Sequence, residues 1–177
     1  MRIDSIALIG YRGTGKTTVA QRLAVRLGWD WVDADVEIEL RTGKSIVAIF
    51  ADDGEPAFRD LEATVVADLC RRTETVIALG GGAVSREENQ LVIKEGGGAV
   101  VWLQASVDSI ERRIADDPAT SARRPNLTNA PRRTEIERLL ALRTPNYRAC
   151  ATLEVDTEGK APAEIADEIV AALGLAS

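Results

Sequence analysis

One segment near the N-terminus limits the fold more than any other part of the chain. Residues 10–17 read GYRGTGKT and fit the pattern G-x-x-x-x-G-K-[S/T], directly after an apolar run and at the start of an amphipathic segment. The glycines let successive backbone N–H groups point at phosphate oxygens, and the N-terminus of the following helix adds partial positive charge. We therefore expect this segment, the P-loop, to bind a nucleotide, with Lys16 reaching its β- and γ-phosphates and Thr17 contributing a hydroxyl to bound Mg²⁺.

The rest of the chain alternates short apolar runs with amphipathic segments. The runs that we interpret as strands are residues 5–9, 29–32, 75–79, 99–103 and 152–155. The segments that we interpret as helices are residues 16–27, 36–42, 56–71, 86–95, 107–115, 133–150 and 163–173. This alternation predicts an α/β fold, a three-layer αβα sandwich with a five-stranded parallel sheet. The 177 residues suffice for a single domain, which we take to be 1–177.

Composition excludes several kinds of chemistry. The formal charge is −6, from 22 Lys and Arg against 28 Asp and Glu, which argues against a nucleic-acid or anionic-membrane surface. The chain has no histidine, so Ser-His-Asp and Cys-His catalysis and the usual zinc sites are excluded. Only two cysteines are present, Cys70 and Cys150, and no run is long enough for a membrane span. We expect a cytoplasmic monomer without a nucleic-acid or membrane partner.

Two carboxylates follow the second predicted strand. Residues 32–35 read VDAD and place Asp33 and Asp35 at the end of the sheet where ligands of such folds bind. Alternation along an extended chain would direct both side chains to the same side. One carboxylate could then hold the metal shell while the other accepts a proton from a substrate hydroxyl. Alternatively, the two aspartates cap the next helix. No N-K-x-D motif is present, which disfavours a GTPase.

Two glycine triplets and two arginines suggest a second binding region. Residues 80–82, here called the glycine loop, follow the third predicted strand at its C-terminal end, whereas residues 96–98 precede the fourth strand at the opposite edge. We expect the first triplet in the site and the second in a turn. Arg59 and Arg143 are either exposed surface charges or part of a pocket for a small polyol with an anionic group, because a guanidinium binds a carboxylate through two hydrogen bonds.

Residues 116–132 have no helical or strand period. The segment reads DDPATSARRPNLTNAPR and is either an ordinary connection or a mobile lid; its length favours the lid. Four arginines within or next to it suggest phosphate binding: Arg123, Arg124, Arg132 and Arg133.

Taken together, these residues resemble the shikimate kinase family, of the nucleoside-monophosphate-kinase-like branch of P-loop proteins. The segments that carry the resemblance run in order along nearly the whole chain: GYRGTGKTT at 10–18, VDADVEIE at 32–39, TGKSIVAIF at 42–50, GEPAFRDLE at 54–62, ALGGGAV at 78–84, RRP at 123–125 and LRTPNYRA at 142–149. The resemblance implies a P-loop kinase that uses ATP and Mg²⁺ to phosphorylate the 3-hydroxyl of shikimate, in the route to chorismate and the aromatic amino acids. It places the shikimate-binding region at approximately 34–61 and the lid at approximately 116–132.

The resemblance also implies roles for individual positions. The ATP-binding residues would be Gly13, Thr14, Gly15, Lys16, Thr17, Thr18, Arg113, Arg124 and Pro162. The metal would be held by Thr17 and, through water, by Asp33. The shikimate-binding residues would be Asp35, Arg59, Gly80, Gly81, Gly82 and Arg143. Asp35 would also be the catalytic base, with Lys16 and Arg124 assisting phosphoryl transfer.

The resemblance is incomplete at the lid. Two apolar residues usually follow the lid Arg-Pro in this family, whereas Asn126 and then Leu127 follow it here, and the lid is longer than in many relatives. Two other functions fit a P-loop chain of this size. One is another small-molecule kinase, of the gluconate or nucleotide type. The other is a nucleotide-binding module without turnover, although such a module has no physical need for Asp35.

Overall fold

A parallel sheet forms the centre of the computed structural model, which describes residues 3–96, 98–117 and 130–175. Within these residues the sheet has five strands in the order β2-β3-β1-β4-β5, and every neighbouring pair is parallel. The strands are β1 Ser5–Ile9, β2 Asp30–Asp33, β3 Thr75–Ala78, β4 Ala99–Gln104 and β5 Leu153–Asp156. All five lie within one residue of the bounds expected from apolar periodicity.

Helices connect the strands. They are α1 Lys16–Leu27, α2 Ala34–Thr42, α3 Ile46–Asp52, α4 Gly54–Leu69, α5 Glu87–Glu95, α6 Val107–Asp116, α7 Arg132–Cys150 and α8 Pro162–Ala172, with a 3₁₀ turn at Ala83–Ser85. The sequence reasoning missed α3, because seven residues are too few to show a helical period. Its N-terminal signal is Ser45, whose side chain accepts a hydrogen bond from the Ala48 N–H over 3.1 Å.

The strands direct alternate side chains into two cores. Ile6 and Leu8 of β1 are buried in a cluster with residues of α1 and α8, whereas Ala7 and Ile9 are buried in a cluster with residues of α2, α4 and α7. A buried sheet with helices on both faces is the three-layer αβα sandwich that the alternation of elements predicted.

A third, smaller cluster lies beyond the end of the sheet. It joins the P-loop to α6 and α7 through the buried side chains of Tyr11, Ile110, Ile114, Ile136 and Leu139. The P-loop is therefore packed on the two helices that flank residues 118–129.

The predicted lid lies almost entirely outside the described residues. Asp116 is the last residue of α6, and Arg132 is the first residue of α7. Arg133, counted among the lid arginines in the sequence, is a helical residue whose guanidinium pairs with Asp108 at 2.6 Å and with Glu111 at 3.3 Å. Arg133 therefore belongs to α7 and is paired with three carboxylates, including Glu137, so its contribution to phosphate binding stays a prediction that these pairs do not favour.

No helix in the described part of the chain is both long enough and apolar enough to cross a membrane.

Candidate active site

A cavity of about 530 Å³ opens at the C-terminal end of the sheet. The expected site residues that line it come from the P-loop and α1, from the β2–α2 junction, from the glycine loop and from the two segments after β4 and β5: Gly13, Thr14, Gly15, Lys16, Thr17, Thr18, Asp33, Asp35, Gly80, Gly81, Arg113 and Pro162. This edge is where ligands bind in open parallel sheets. The structure thus brings residues from five distant segments to one cavity.

The P-loop turns sharply where it leaves β1. Gly10 has a φ of 140°, and a Cβ at this position would lie 2.5 Å from the Leu103 carbonyl oxygen, so only glycine fits between the loop and β4. The Nζ of Lys16 donates hydrogen bonds to the carbonyls of Gly10 at 2.8 Å and Tyr11 at 2.9 Å. The ammonium group is thereby held over the loop whose N–H groups bind phosphates.

Asp33 performs two tasks with its two oxygens. Its Oδ2 accepts a hydrogen bond from the hydroxyl of Thr17 over 2.6 Å, and its Oδ1 accepts from the N–H groups of Asp35 at 2.9 Å and Val36 at 3.3 Å. Asp33 is the N-cap of α2 as well as the partner of the P-loop threonine. The helix-capping interpretation is therefore confirmed for Asp33, whereas its role at a bound metal stays a prediction.

Asp35 reaches the cavity by a different route from the one expected. The second strand ends at Asp33, and Asp35 lies in the first turn of α2. The expectation that strand alternation directs Asp33 and Asp35 to the same side is wrong, because the chain is already helical at Asp35. Both carboxylates still line the cavity, because α2 begins directly after the last residue of β2.

Arg59 is buried on α4 between two carboxylates. Its Nη1 donates to Glu62 Oε2 at 2.7 Å, and its Nε and Nη2 donate to Glu55 Oε1 at 3.3 and 3.2 Å. Glu62 is only 1% exposed, and its Oε1 has no hydrogen-bond partner among the described residues. The sequence reasoning missed Glu62, although its spacing of three residues from Arg59 on a helix was a usable signal.

Arg143 occupies a different environment. Its guanidinium lies 5.8 Å from the centre of the Tyr11 ring, and among the described residues it makes no hydrogen bond or ion pair. A Cβ on Gly81 would lie 3.6 Å from its Nη1. Tyr147, one helical turn further along α7, donates its hydroxyl hydrogen to the Gly81 carbonyl over 2.5 Å. A buried cation without a carboxylate partner is suited to an anionic ligand.

Arg113 joins the P-loop to the segment after β5. Its guanidinium donates to the Thr157 hydroxyl at 3.1 Å, to the Thr157 carbonyl at 3.3 Å and to the Gly13 carbonyl at 3.4 Å. Thr157 is fully buried and donates in turn to the Gln104 carbonyl at 2.8 Å. Pro162 begins α8 at the same end of the cavity.

The remaining expected residues fall elsewhere. Gly82, Arg59 and Arg143 do not line the cavity; they lie beside it, around the glycine loop. Arg124 lies outside the described residues. Arg12 lines the cavity and was not predicted, because its position is a free one in the P-loop pattern.

Fold and site together define a P-loop kinase that acts on a small molecule. The sequence model of the family described as shikimate kinase matches residues 12–174, which is most of the chain. The chain belongs to the shikimate kinase family.

Individual relatives agree with this assignment. A shikimate kinase of Rhodopirellula baltica is 43% identical over 165 residues, which cover 93% of this chain and 88% of that protein. A solved shikimate kinase of Acinetobacter baumannii, in complex with shikimate, superposes with a TM-score of 0.90 at 34% identity and covers 97% of this chain and 93% of its own.

A gluconokinase of Sinorhizobium meliloti represents the alternative kinase class. It superposes with a TM-score of 0.61 at 21% identity and covers 98% of this chain and 94% of its own, which is a likeness of fold alone.

Proposed function

We propose that this protein transfers the γ-phosphoryl group of ATP to the 3-hydroxyl of shikimate, giving shikimate 3-phosphate and ADP. The observation that carries the choice of acceptor is the pair of buried guanidiniums, Arg59 and Arg143, held against consecutive glycines beside the P-loop. A small polyol that carries a carboxylate matches this arrangement, because its hydroxyls can face Asp35 while its anionic group meets the arginines.

The nucleotide half of the site is built by the P-loop and its neighbours. The backbone N–H groups of Gly13, Thr14, Gly15, Lys16, Thr17 and Thr18 would surround the phosphates. Lys16 would move its ammonium from the Gly10 and Tyr11 carbonyls to the phosphate oxygens, which lie on the cavity side of the loop. Arg113 would contact the adenine of ATP, with Pro162 on the other side. The hydrogen bonds of Arg113 to Thr157 fix the orientation of its guanidinium.

The donors at the Thr17–Asp33 contact fit Mg²⁺. The cation prefers a few oxygen ligands from protein and takes the rest from water and phosphates. A hydroxyl and a carboxylate 2.6 Å apart at the P-loop supply that kind of set, with Asp33 acting through water. When bound, Mg²⁺ would neutralise charge on the β- and γ-phosphates. The described residues contain no cluster of three or more acidic, cysteine or histidine side chains that would hold a metal without the phosphates.

Asp35 would orient the attacking hydroxyl and accept its proton. The first turn of α2 fixes its backbone, because the N–H of Asp35 is bound to Asp33 Oδ1 at 2.9 Å. Phosphoryl transfer depends mainly on alignment and charge stabilisation, so a rigidly placed carboxylate suffices for this role.

The two arginines would share the carboxylate unequally. Three of the five N–H groups of Arg59 are already bound to Glu55 and Glu62, which leaves one on each terminal nitrogen. Those two N–H groups can still bind a carboxylate in a bidentate manner. Arg143 would contribute a whole guanidinium without a competing carboxylate, and the Gly81 and Gly82 backbone would complete the contact.

An ADP-release assay with ATP and Mg²⁺ tests the proposal. We expect turnover to be stimulated by shikimate and not by gluconate, quinate or nucleoside monophosphates. Omission of Mg²⁺ should abolish the stimulation. Turnover with gluconate or a nucleotide but not with shikimate would contradict the proposal and would reassign Arg59 and Arg143.

A further inference from the structure

An ion pair that the nucleotide and acceptor roles do not use connects the P-loop with α7. Arg12 Nη2 lies 3.3 Å from Glu135 Oε2, across 123 residues of sequence. The Glu135 side chain is 1% exposed and that of Arg12 14%. A buried carboxylate is costly unless a cation stays beside it, so this pair holds the two segments together.

One face of α7 contacts both the P-loop and the glycine loop. Glu135, Leu139, Arg143 and Tyr147 follow one another at intervals of four residues and are all buried. Glu135 contacts the P-loop through Arg12, Leu139 packs in the Tyr11 cluster, and Tyr147 binds the glycine loop. Arg143 lies between the two anchored ends, two turns or about 12 Å along the helix from Glu135.

The charges around Arg143 also depend on the ion pair between Arg12 and Glu135. Burial raises the pKa of the Tyr11 hydroxyl above its ordinary value of 10.0, so this ring stays neutral at physiological pH. Glu135 offsets the charge of Arg12, which leaves Arg143 as the guanidinium of this cluster whose charge no described carboxylate pairs. The pair thus lies on the same helix face as Arg143 and sets the charge next to the Tyr11 ring that Arg143 contacts.

The P-loop end of the pair directly follows the two carbonyls that Lys16 binds. Lys16 Nζ holds the carbonyls of Gly10 and Tyr11, and it must turn to the phosphates when a nucleotide binds. Freeing these carbonyls would change the restraint on the backbone directly before Arg12, and Arg12 is the residue through which the P-loop pairs with Glu135 of α7.

We propose that Arg12 and Glu135 are positioning residues that couple occupancy of the nucleotide site to the affinity of Arg143 for the acceptor's carboxylate. This inference rests on the proposed function, since it takes shikimate as the acceptor. Coupling of this kind is reciprocal, so each ligand tightens the binding of the other by the same factor.

The test measures the Kd of shikimate by calorimetry, with and without saturating ADP and Mg²⁺. We expect ADP to tighten shikimate binding by roughly fivefold or more in the unaltered protein. In Glu135→Gln and in Arg12→Gln this factor should fall towards one. Glu137→Gln is the matched control: Glu137 lies on the same helix but is exposed and pairs with Arg133, so the factor should stay as in the unaltered protein.

Stability and coupling are separated by the double variant. Arg12→Gln leaves a buried carboxylate without its cation and should lower Tm, whereas Arg12→Gln with Glu135→Gln removes both charges and should recover much of the loss. If the pair were merely structural, the double variant would recover the effect of ADP on shikimate affinity together with Tm. We expect the double variant to recover Tm alone.

Two results would overturn the inference: an unaltered protein in which ADP leaves shikimate affinity unchanged, or a double variant that retains the full factor. Failure of the proposed function would look different, as an unaltered protein that releases no ADP in response to shikimate.

Discussion

The α-carbon of Gly82 lies against the guanidinium of Arg59. A Cβ at residue 82 would come within 2.6 Å of Nη1 and 2.7 Å of Nη2, closer than side-chain atoms approach one another. Glu55 and Glu62 hold the guanidinium from its other sides, so it cannot move away without breaking charged hydrogen bonds. The glycine loop and Arg59 are therefore closely packed against each other, with little room for either to move.

Gly82→Ala should raise the KM for shikimate about tenfold, since the new methyl group displaces Arg59 and a charged hydrogen bond contributes about 1.5 kcal/mol or more. The KM for ATP should stay nearly constant. Steady-state kinetics would measure both constants. Arg59→Ala is the control: if Gly82→Ala acts through Arg59, the double variant is no worse than Arg59→Ala alone. Additive effects would mean that Gly82 acts by another route.

Asp35→Asn should reduce kcat at least about a hundredfold, because the amide cannot accept the proton of the attacking hydroxyl. Binding of ATP should be retained, since the P-loop N–H groups and Lys16 are the groups expected to contact the phosphates. Single-turnover measurements and nucleotide titration would check the two statements. Turnover at the unaltered rate would remove Asp35 from the role of base.

Asp33→Asn separates the two tasks of Asp33. Asparagine caps helices about as well as aspartate, so the Tm should change little. The Mg²⁺ concentration for half-maximal activity should rise severalfold, because the carboxylate beside Thr17 is lost.

Ser45→Ala provides the matched comparison for Asp33→Asn. It removes the cap of α3 and should cost about 1 kcal/mol of stability while leaving the Mg²⁺ requirement unchanged. Unfolding and Mg²⁺ titrations of both variants would be compared. An unaltered Mg²⁺ requirement in Asp33→Asn would contradict the metal role.

Thr157→Val should raise the KM for ATP roughly threefold to tenfold and leave the KM for shikimate unchanged, because Arg113 loses one hydrogen-bond partner. Thr152→Val serves as its control. Thr152 makes similar bonds to the backbone of Val100, but at the opposite end of β5, so its loss should not affect the KM for ATP. Equal effects of the two variants would exclude a positioning role for Thr157.

Because of Cys70, we expect the free energy of unfolding to fall in alkaline solution. Burial raises the pKa of its thiol from 9.0 to about 11. Below pH 9 the thiol is protonated in both states, so its contribution is constant; between pH 9 and 11 the unfolded state loses the proton first, and stability falls. Urea unfolding of Cys70→Ala should show a weaker loss across this range. An identical pH dependence in both proteins would contradict the prediction.

Local sequence patterns were sufficient to predict the P-loop and the positions of the strands along the chain. The eight residues of the P-loop and the five apolar runs each carry their signal within a few neighbouring positions, and the structure has a strand at every one of those runs. Side-chain period and turn residues report local conformation directly, which is why the layers of the fold were predictable. The short helix α3 shows no period and was missed.

Contacts between distant segments were decided by the tertiary structure. The bond between Arg12 and Glu135 joins residues 123 positions apart, and the contact of Tyr147 with Gly81 joins residues 66 apart. No local pattern predicts such contacts, because they depend on how helices pack across the sheet. The sequence by itself determined a phosphate-binding loop on a parallel sheet and the residue types available to it. Only packing decided that Arg59 is buried against Gly82, and that Arg143 is buried beside Tyr11 with no carboxylate partner among the described residues, since burial and neighbours determine what a buried charge can bind.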